Sequence, residues 1–157
     1  YLTRKLRDKR LDSAFKAAIE SGKPMPTSQI DAAVSRLQAR TLRYRGGNIA
    51  RTESLSALSQ GQNQAISQAL EVAELDGDFT KKSWDATGDS DTRPDHSNAE
   101  SEYSEGIPFD QPFIVGGKSM MWPRDPAGGA SQVINCRCRL KTVVDFAGKA
   151  AKEIRGF

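Results

Sequence analysis

Apolar residues recur through the first half of the chain at the spacing of an amphipathic helix. From Leu2 to about Ser21, one stripe holds Leu11, Phe15, Ala18 and Ile19, extended backwards by Leu2 and Leu6. Gly22 suits a helix C-terminus, and Pro24 and Pro26 prevent continuation. Ser28 opens a second helix with Asp31 in a capping-box-like position; Ile30, Ala33, Val34, Leu37 and Thr41 supply its expected buried stripe. Gly46-Gly47 interrupts that pattern. A third helix is expected from about Asn48 to Leu75, its apolar side carrying Leu55, Leu58, Ala65, Ile66, Ala69, Leu70 and Ala73. Gly61 marks a bend or a close helix crossing within it. Three helices on short connections predict antiparallel neighbours.

After Asp76-Gly77-Asp78 the period shortens. Phe79 to Trp84 alternates as a strand does, and Gly88 to Ser97 is polar and turn-forming. Ile107-Pro108-Phe109 is a short edge strand limited by its proline. Pro112 to Val115, Gly116-Gly117 and Lys118 to Trp122 spell a hairpin with a glycine turn. Pro123 to Gly129 is loop, Cys136 to Val144 a strand, and Phe146 to Ile154 a short helix. The expected fold class is therefore α+β, with N-terminal antiparallel helices over 1–76. A small antiparallel β-sheet domain with long loops then fills 77–157 and ends in the short helix.

Charge changes this picture little. The 157 residues carry 23 Lys and Arg against 20 Asp and Glu, and a net +3 is too small to mark a nucleic-acid binder without a local patch. Two clusters qualify as such patches: Arg4, Lys5, Arg7, Lys9 and Arg10, then Arg40, Arg43 and Arg45. Each is either a solvated helix face or a contact for DNA or an acidic partner. No apolar run of about 18 residues is present, so no membrane span is expected, and no secretory signal pattern appears. A chain starting at Tyr1 within a charge-rich, helix-like pattern is expected to be the later part of a longer or processed polypeptide.

Candidate chemistry sits between Trp84 and Leu140, which contains the single histidine, both cysteines and both tryptophans. Cys136 and Cys138 make a poor disulfide because a C-x-C ring is short and strained, and a reducing compartment is the simpler expectation. With His96 they have the residue types of a zinc site, Asp91 or Asp95 being a fourth ligand. The usual spacing of two to four residues between cysteines is absent, and a regular strand would send the two side chains to opposite faces, so joint ligation needs a bulge or turn. The competing reading packs one cysteine as a small apolar residue and leaves His96 hydrogen-bonded within its loop. Cys136 or Cys138 with His96 also has the residue types of a nucleophile and base, without a recognised local signature. Glu100-Ser101-Glu102 resembles an E-x-E element but falls in an acidic loop, and phosphate and dinucleotide fingerprints are missing. Arg51 is placed to reach a later carboxylate such as Asp91 or Asp95. Arg93, Arg137 and Arg139 form either an anion site or a charged strand edge.

Three stretches, taken in order, resemble the phage Mu F-like head morphogenesis domain. They are Ile49-Ala50-Arg51-Thr52-Glu53; Trp84 followed by Asp91-Thr92-Arg93-Pro94-Asp95-His96; and Pro123-Arg124-Asp125-Pro126 followed by Asn135-Cys136-Arg137-Cys138-Arg139-Leu140. The resemblance covers roughly Leu37 to Val144. Where many members have Ala-Leu-Asp-Gly, this chain has Ser97-Asn98-Ala99-Glu100, so a role for that aspartate is not carried over. Some members also pair C-x-x-C with H-x-x-C-x-C, whereas this chain offers one histidine and two cysteines. The resemblance implies a minor head protein of a tailed phage, resident in the virion at the portal or capsid interior and in the host bacterial cytoplasm during assembly. It would serve head assembly and DNA packaging or ejection. Portal protein, major capsid or scaffold protein and packaged double-stranded DNA are the implied partners. It implies no catalytic residue: Arg51, Thr52, Glu53, Trp84, Asp91, Arg93, His96, Asn135, Cys136, Arg137 and Cys138 would hold structure. The alternative of a different class is a small zinc-dependent or thiol hydrolase, or a toxin-like catalytic domain, distinguished by metal content and thiol reactivity.

Overall fold

The computed structural model describes residue 6, residues 8–75 and residues 79–155. Leu2, Arg4, Lys5, Arg7 and the expected boundary at Asp76-Gly77-Asp78 lie outside them. The chain divides into two compact units, Tyr1–Ala50 and Arg51–Phe157, and the architecture is α+β, long helices followed by small antiparallel sheets.

In the first unit, α1 (Lys9–Ser21) begins at Asp8, whose side chain accepts from the Arg10 amide, and ends at Gly22 in the left-handed conformation. The Asp8 carboxylate also accepts from Arg36 Nε at 3.1 Å and lies 3.8 Å from Arg40 Nη2. The start of α1 is thereby pinned beside a stretch of α2 (Thr27–Val72) several turns past the connection, which makes the pair antiparallel. The Arg36 hydrogen bond holds the Asp8 carboxyl below its usual range, against an opposing effect of burial. The predicted stripe on α1 is present but not covered: no residue of α1 is buried, and Ile19 is 80% exposed. The second stripe is thinner than expected, with Ala33 buried and Ile30 and Val34 exposed.

The second and third expected helices are one, since α2 runs unbroken for 46 residues through Gly46, Gly47 and Gly61. A helical glycine costs about 1 kcal/mol relative to alanine, which weakens a helix without ending it. None of these glycines is required by a neighbour, because an added Cβ would meet nothing within 4 Å at any of them. That removes the close crossing expected at Gly61.

In the second unit, β1 (Thr80–Asp85) is central in a three-stranded antiparallel sheet, between β2 (Ile107–Pro108) and β5 (Arg139–Val144). The β1–β5 register runs from Thr80 opposite Val144 to Asp85 opposite Arg139, with Trp84 opposite Leu140. The glycine-turn hairpin forms as expected, from β3 (Phe113–Val115) and β4 (Lys118–Met120). After β5 the chain closes in α5 (Phe146–Arg155), the expected terminal helix. Period-2 alternation puts Thr80, Lys82 and Trp84 on the inner face of β1. Trp84 and Phe113 meet edge to face at 5.4 Å, Tyr103 packs on Phe113, and Val115, Met120 and Leu140 complete the core.

Lys82 is the anomaly in this core. Fully buried, its ammonium donates to the Met121 carbonyl at 2.8 Å and lies over the rings of Phe109 and Phe113. Burial lowers its pKa from 10.5 to about 8, despite opposing attraction from Asp110 and Asp125.

Two outcomes are expected. The Gly46→Ala, Gly47→Ala double variant should gain roughly 1–2 kcal/mol, read as greater helicity by circular dichroism and a raised Tm. Between the folded pKa of about 8 and the unfolded value of 10.5, the unfolded chain binds more protons at Lys82, so stability rises with pH through that window. Denaturant titrations at stepped pH should show a gain of about 3 kcal/mol across that window that a Lys82→Met variant lacks.

Candidate functional site

The site is built from two short segments, the second of which is tied to the second half of α2. The first is α3 (Pro94–Glu102), which occupies what was expected to be a turn followed by an acidic loop. Pro94 starts it, Asp95 lies in its first turn, and it buries only His96 and Ala99. So polar a helix leaves no apolar period to read. Glu100 accepts from the Ala86 amide at 3.2 Å, giving one half of the E-x-E element a structural use.

The second segment runs from Pro123 to Cys138. A 3-10 turn (Pro126–Gly128) leads into α4 (Gly129–Val133), and Asn135 then adopts a left-handed conformation with φ 56°. Asparagine is among the few residues that tolerate this region. The chain reverses there, and β5 begins only at Arg139. Both cysteines thus precede the strand that was expected to contain them. Strand alternation does not apply to them, and both sulfurs reach the same imidazole.

His96 Nδ1 lies 3.2 Å from Cys138 Sγ and 3.6 Å from Cys136 Sγ. On its other side, Nε2 lies 2.9 Å from Gln132 Oε1, while Gln132 Nε2 donates to Asp95 Oδ2 at 2.9 Å. The carboxylate accepts only, which orients the amide, so the amide oxygen faces the ring and takes the Nε2 proton. Nδ1 is then the bare lone pair aimed at the sulfurs. Trp84 closes the cluster with its ring 5.4 Å from the imidazole, edge to face. The two thiols titrate as a pair. Cys136 is drawn down by its hydrogen bond with Cys138, against the opposing effect of burial. Cys138 is pushed up by the same bond and by burial.

Arg124 ties this segment to α2. It is 3% exposed, with φ 72°. Nε donates to the Leu55 carbonyl at 2.8 Å, Nη2 to the Ser59 hydroxyl, and Nη1 to the carbonyls of Cys136 at 3.2 Å and Cys138 at 2.6 Å. Thr52 Oγ1 adds a second tie by accepting from the Asn135 amide at 3.1 Å. Asp125 closes its own turn on the amides of Met121 and Ala127.

Of the residues singled out in the sequence, Thr52, Trp84, His96, Asn135, Cys136 and Cys138 are brought together. Arg51 and Glu53 are exposed on α2, and Arg51 forms no pair with Asp91 or Asp95. Asp91 is exposed too, and Asp95 stands behind Gln132, so neither belongs to the three-residue set of His96, Cys136 and Cys138. Arg93, Arg137 and Arg139 do not converge on an anion site. Arg93 donates to the Ile134 carbonyl, Arg137 pairs with Asp89, and Arg139 pairs with Asp85, which Lys141 also contacts. In the first unit, Lys9, Arg10, Arg43 and Arg45 are exposed, and Arg40 is half-buried beside Asp8. Gln132 carried no sequence signal. Arg124 stood inside a quoted motif, where nothing told it apart from its neighbours.

Residues 9–141 match the family described as Phage Mu protein F like protein, and the matched span contains every residue of this cluster. The chain belongs to that family. A relative from Bacillus subtilis (strain 168), "Uncharacterized protein YqbB", is 31% identical over 105 residues. That similarity covers 66% of this chain and 32% of the relative, so the chain spans about a third of that protein's length. No solved structure matches.

The chemistry open to this cluster follows from its enclosure. His96, Cys136 and Cys138 are each no more than 2% exposed, so a substrate has no approach to the sulfurs in this conformation. The set can share protons or hold a soft metal ion. Its integrity depends on Arg124. Arg124→Lys keeps the charge but loses the planar fork and is expected to cost roughly 2–4 kcal/mol in urea unfolding. It should also speed reaction of both cysteines with a thiol reagent under native conditions.

Proposed function

We propose that this chain is a structural minor head protein of a tailed phage, acting at the portal or capsid interior during head assembly and DNA packaging or ejection. One observation carries the reading: membership in the phage Mu protein F like family, a phage head morphogenesis family, over residues 9–141. The geometry is consistent with it, since the family-like motifs are spent on holding the Cys136–Cys138 segment to α2 and α3 to that segment, rather than on an open cleft. The virion follows as its location, and no helix among the described residues is long and apolar enough to cross a membrane.

Portal, major capsid or scaffold protein would be the contact, made through the exposed side chains of the helical unit. Phe15, Ile19, Leu42 and Ile49 are large apolar residues left uncovered there, interspersed with Lys9, Arg10, Arg43 and Arg45. Double-stranded DNA is the further candidate for those cations. Phosphate contacts would show as duplex binding that weakens steeply with salt.

The test is a deletion in the encoding phage with mass spectrometry of the purified particles. Wild-type virions are expected to contain peptides of this chain, and deletion should yield defective or non-infectious heads. Its absence from virions, together with a normal titre after deletion, would sink the proposal.

A further inference from the structure

We propose that His96, Cys136 and Cys138 form a binding site for a single zinc ion, with Gln132 and Asp95 holding the imidazole in the ligating tautomer. This goes beyond the head-protein reading and does not depend on it.

The geometry is the first support. Zinc binds thiolate sulfur at about 2.3 Å and imidazole nitrogen at about 2.0–2.1 Å, so tetrahedral angles put nitrogen and sulfur about 3.5 Å apart. Here His96 Nδ1 lies 3.2 and 3.6 Å from the two sulfurs, and the three donor atoms lie within 4.8 Å of one another. Three side chains from segments some 40 residues apart in sequence already stand close to the edges of a coordination polyhedron.

The tautomer is the second support. A histidine ligand usually donates its other ring N–H to an oxygen, which fixes the ring and raises its basicity. Asp95 orients Gln132, Gln132 Oε1 takes the Nε2 proton, and the free lone pair is left on Nδ1, facing both cysteines. This pair occupies space that the hairpin leaves for it. Gly116, at φ 56°, sits against Gln132 Nε2 and Asp95 Oδ2 so closely that any Cβ there would collide with both.

An orphaned donor is the third. Trp84 is 2% exposed and its indole Nε1 has no hydrogen-bond partner, although its ring stands 5.4 Å from the His96 imidazole in the same buried cluster as Cys136 and Cys138. A buried N–H left unpaired is costly, and a metal-bound thiolate is the acceptor this one lacks. Two thiolates would neutralise the dication, with remaining thiol protons released to solvent on binding. The three side chains leave one position of a four-coordinate ion for a small ligand such as water. Enclosure makes the ion a staple between α3 and the Cys136–Cys138 segment.

The experiment uses the whole chain, purified without metal-affinity resin, and measures metal by mass spectrometry. Samples are taken as isolated and after refolding with excess zinc, with cobalt(II) titrated into the metal-free protein. About one zinc per chain is expected, with a thiolate-to-cobalt charge-transfer band on substitution. Both thiols should be protected until a chelator is added, and chelation should lower Tm. Gln132→Met, which keeps the ligands and removes the proton acceptor, should weaken zinc binding about 10–100-fold. Wild-type protein refolded with excess zinc that retains less than about 0.1 equivalent and shows no cobalt band would overturn the proposal, whether or not the variant folds. So would equal zinc retention by a Cys136→Ser, Cys138→Ser variant.

Discussion

The second unit depends on a guanidinium that has no carboxylate. Arg124 is buried among carbonyls and a hydroxyl, contributed by α2 on one side and by the cysteine segment on the other. Burying such a charge is unfavourable unless every donor finds an acceptor. Here the planar fork reaches three carbonyls and a hydroxyl that no shorter or more flexible cation would reach together. Charge on the cysteine sulfurs would offset the effect of burial on the arginine, Cys136 more than Cys138. The guanidinium holds the turn that presents the sulfurs, and any thiolate charge on that turn favours the guanidinium inside.

Around that interaction, several strained or awkward choices become intelligible. Arg124 and Asn135 both take left-handed backbone conformations, at a cost of roughly 1–2 kcal/mol for a residue with a Cβ. Each is held by bonds to α2, through Leu55 and Ser59 for Arg124 and through Thr52 for Asn135. Lys82 follows a similar logic on the other side of the core, where a carbonyl and two aromatic faces take the place of water.

Much of this fold was legible where local chemistry decides the outcome. Gly22 and the prolines after it ended α1, and Gly116-Gly117 announced the hairpin between β3 and β4. Legibility failed where tertiary context overrides propensity. Gly46-Gly47 looked like a break, but two glycines in a long run of good helix formers weaken α2 without interrupting it. α3 was invisible to hydrophobic periodicity because it buries a histidine and an alanine and little else. The site divided the same way. Residue types named His96, Cys136 and Cys138, but the turn at Asn135 that gathers them is a weak preference no sequence rule would insist on. A tie between α2 and the later motifs was expected through Arg51. It exists, but it runs from Arg124 back to the helix, and which arginine becomes buried depends on neighbours distant in sequence.

That distance has a consequence for biosynthesis. The bonds that complete the cluster join residues 36, 42, 69 and 83 positions apart. On a ribosome, α2 and α3 would emerge with His96, Thr52, Leu55 and Ser59 all waiting for partners that arrive only with the last quarter of the described chain. Until Cys138 has cleared the exit tunnel, nothing holds the cluster shut. A product truncated before that point would carry an uncovered aromatic core and an arginine short of a carbonyl acceptor, exposed to proteolysis. Closure of the cluster is thus open only to a chain synthesised past its second cysteine.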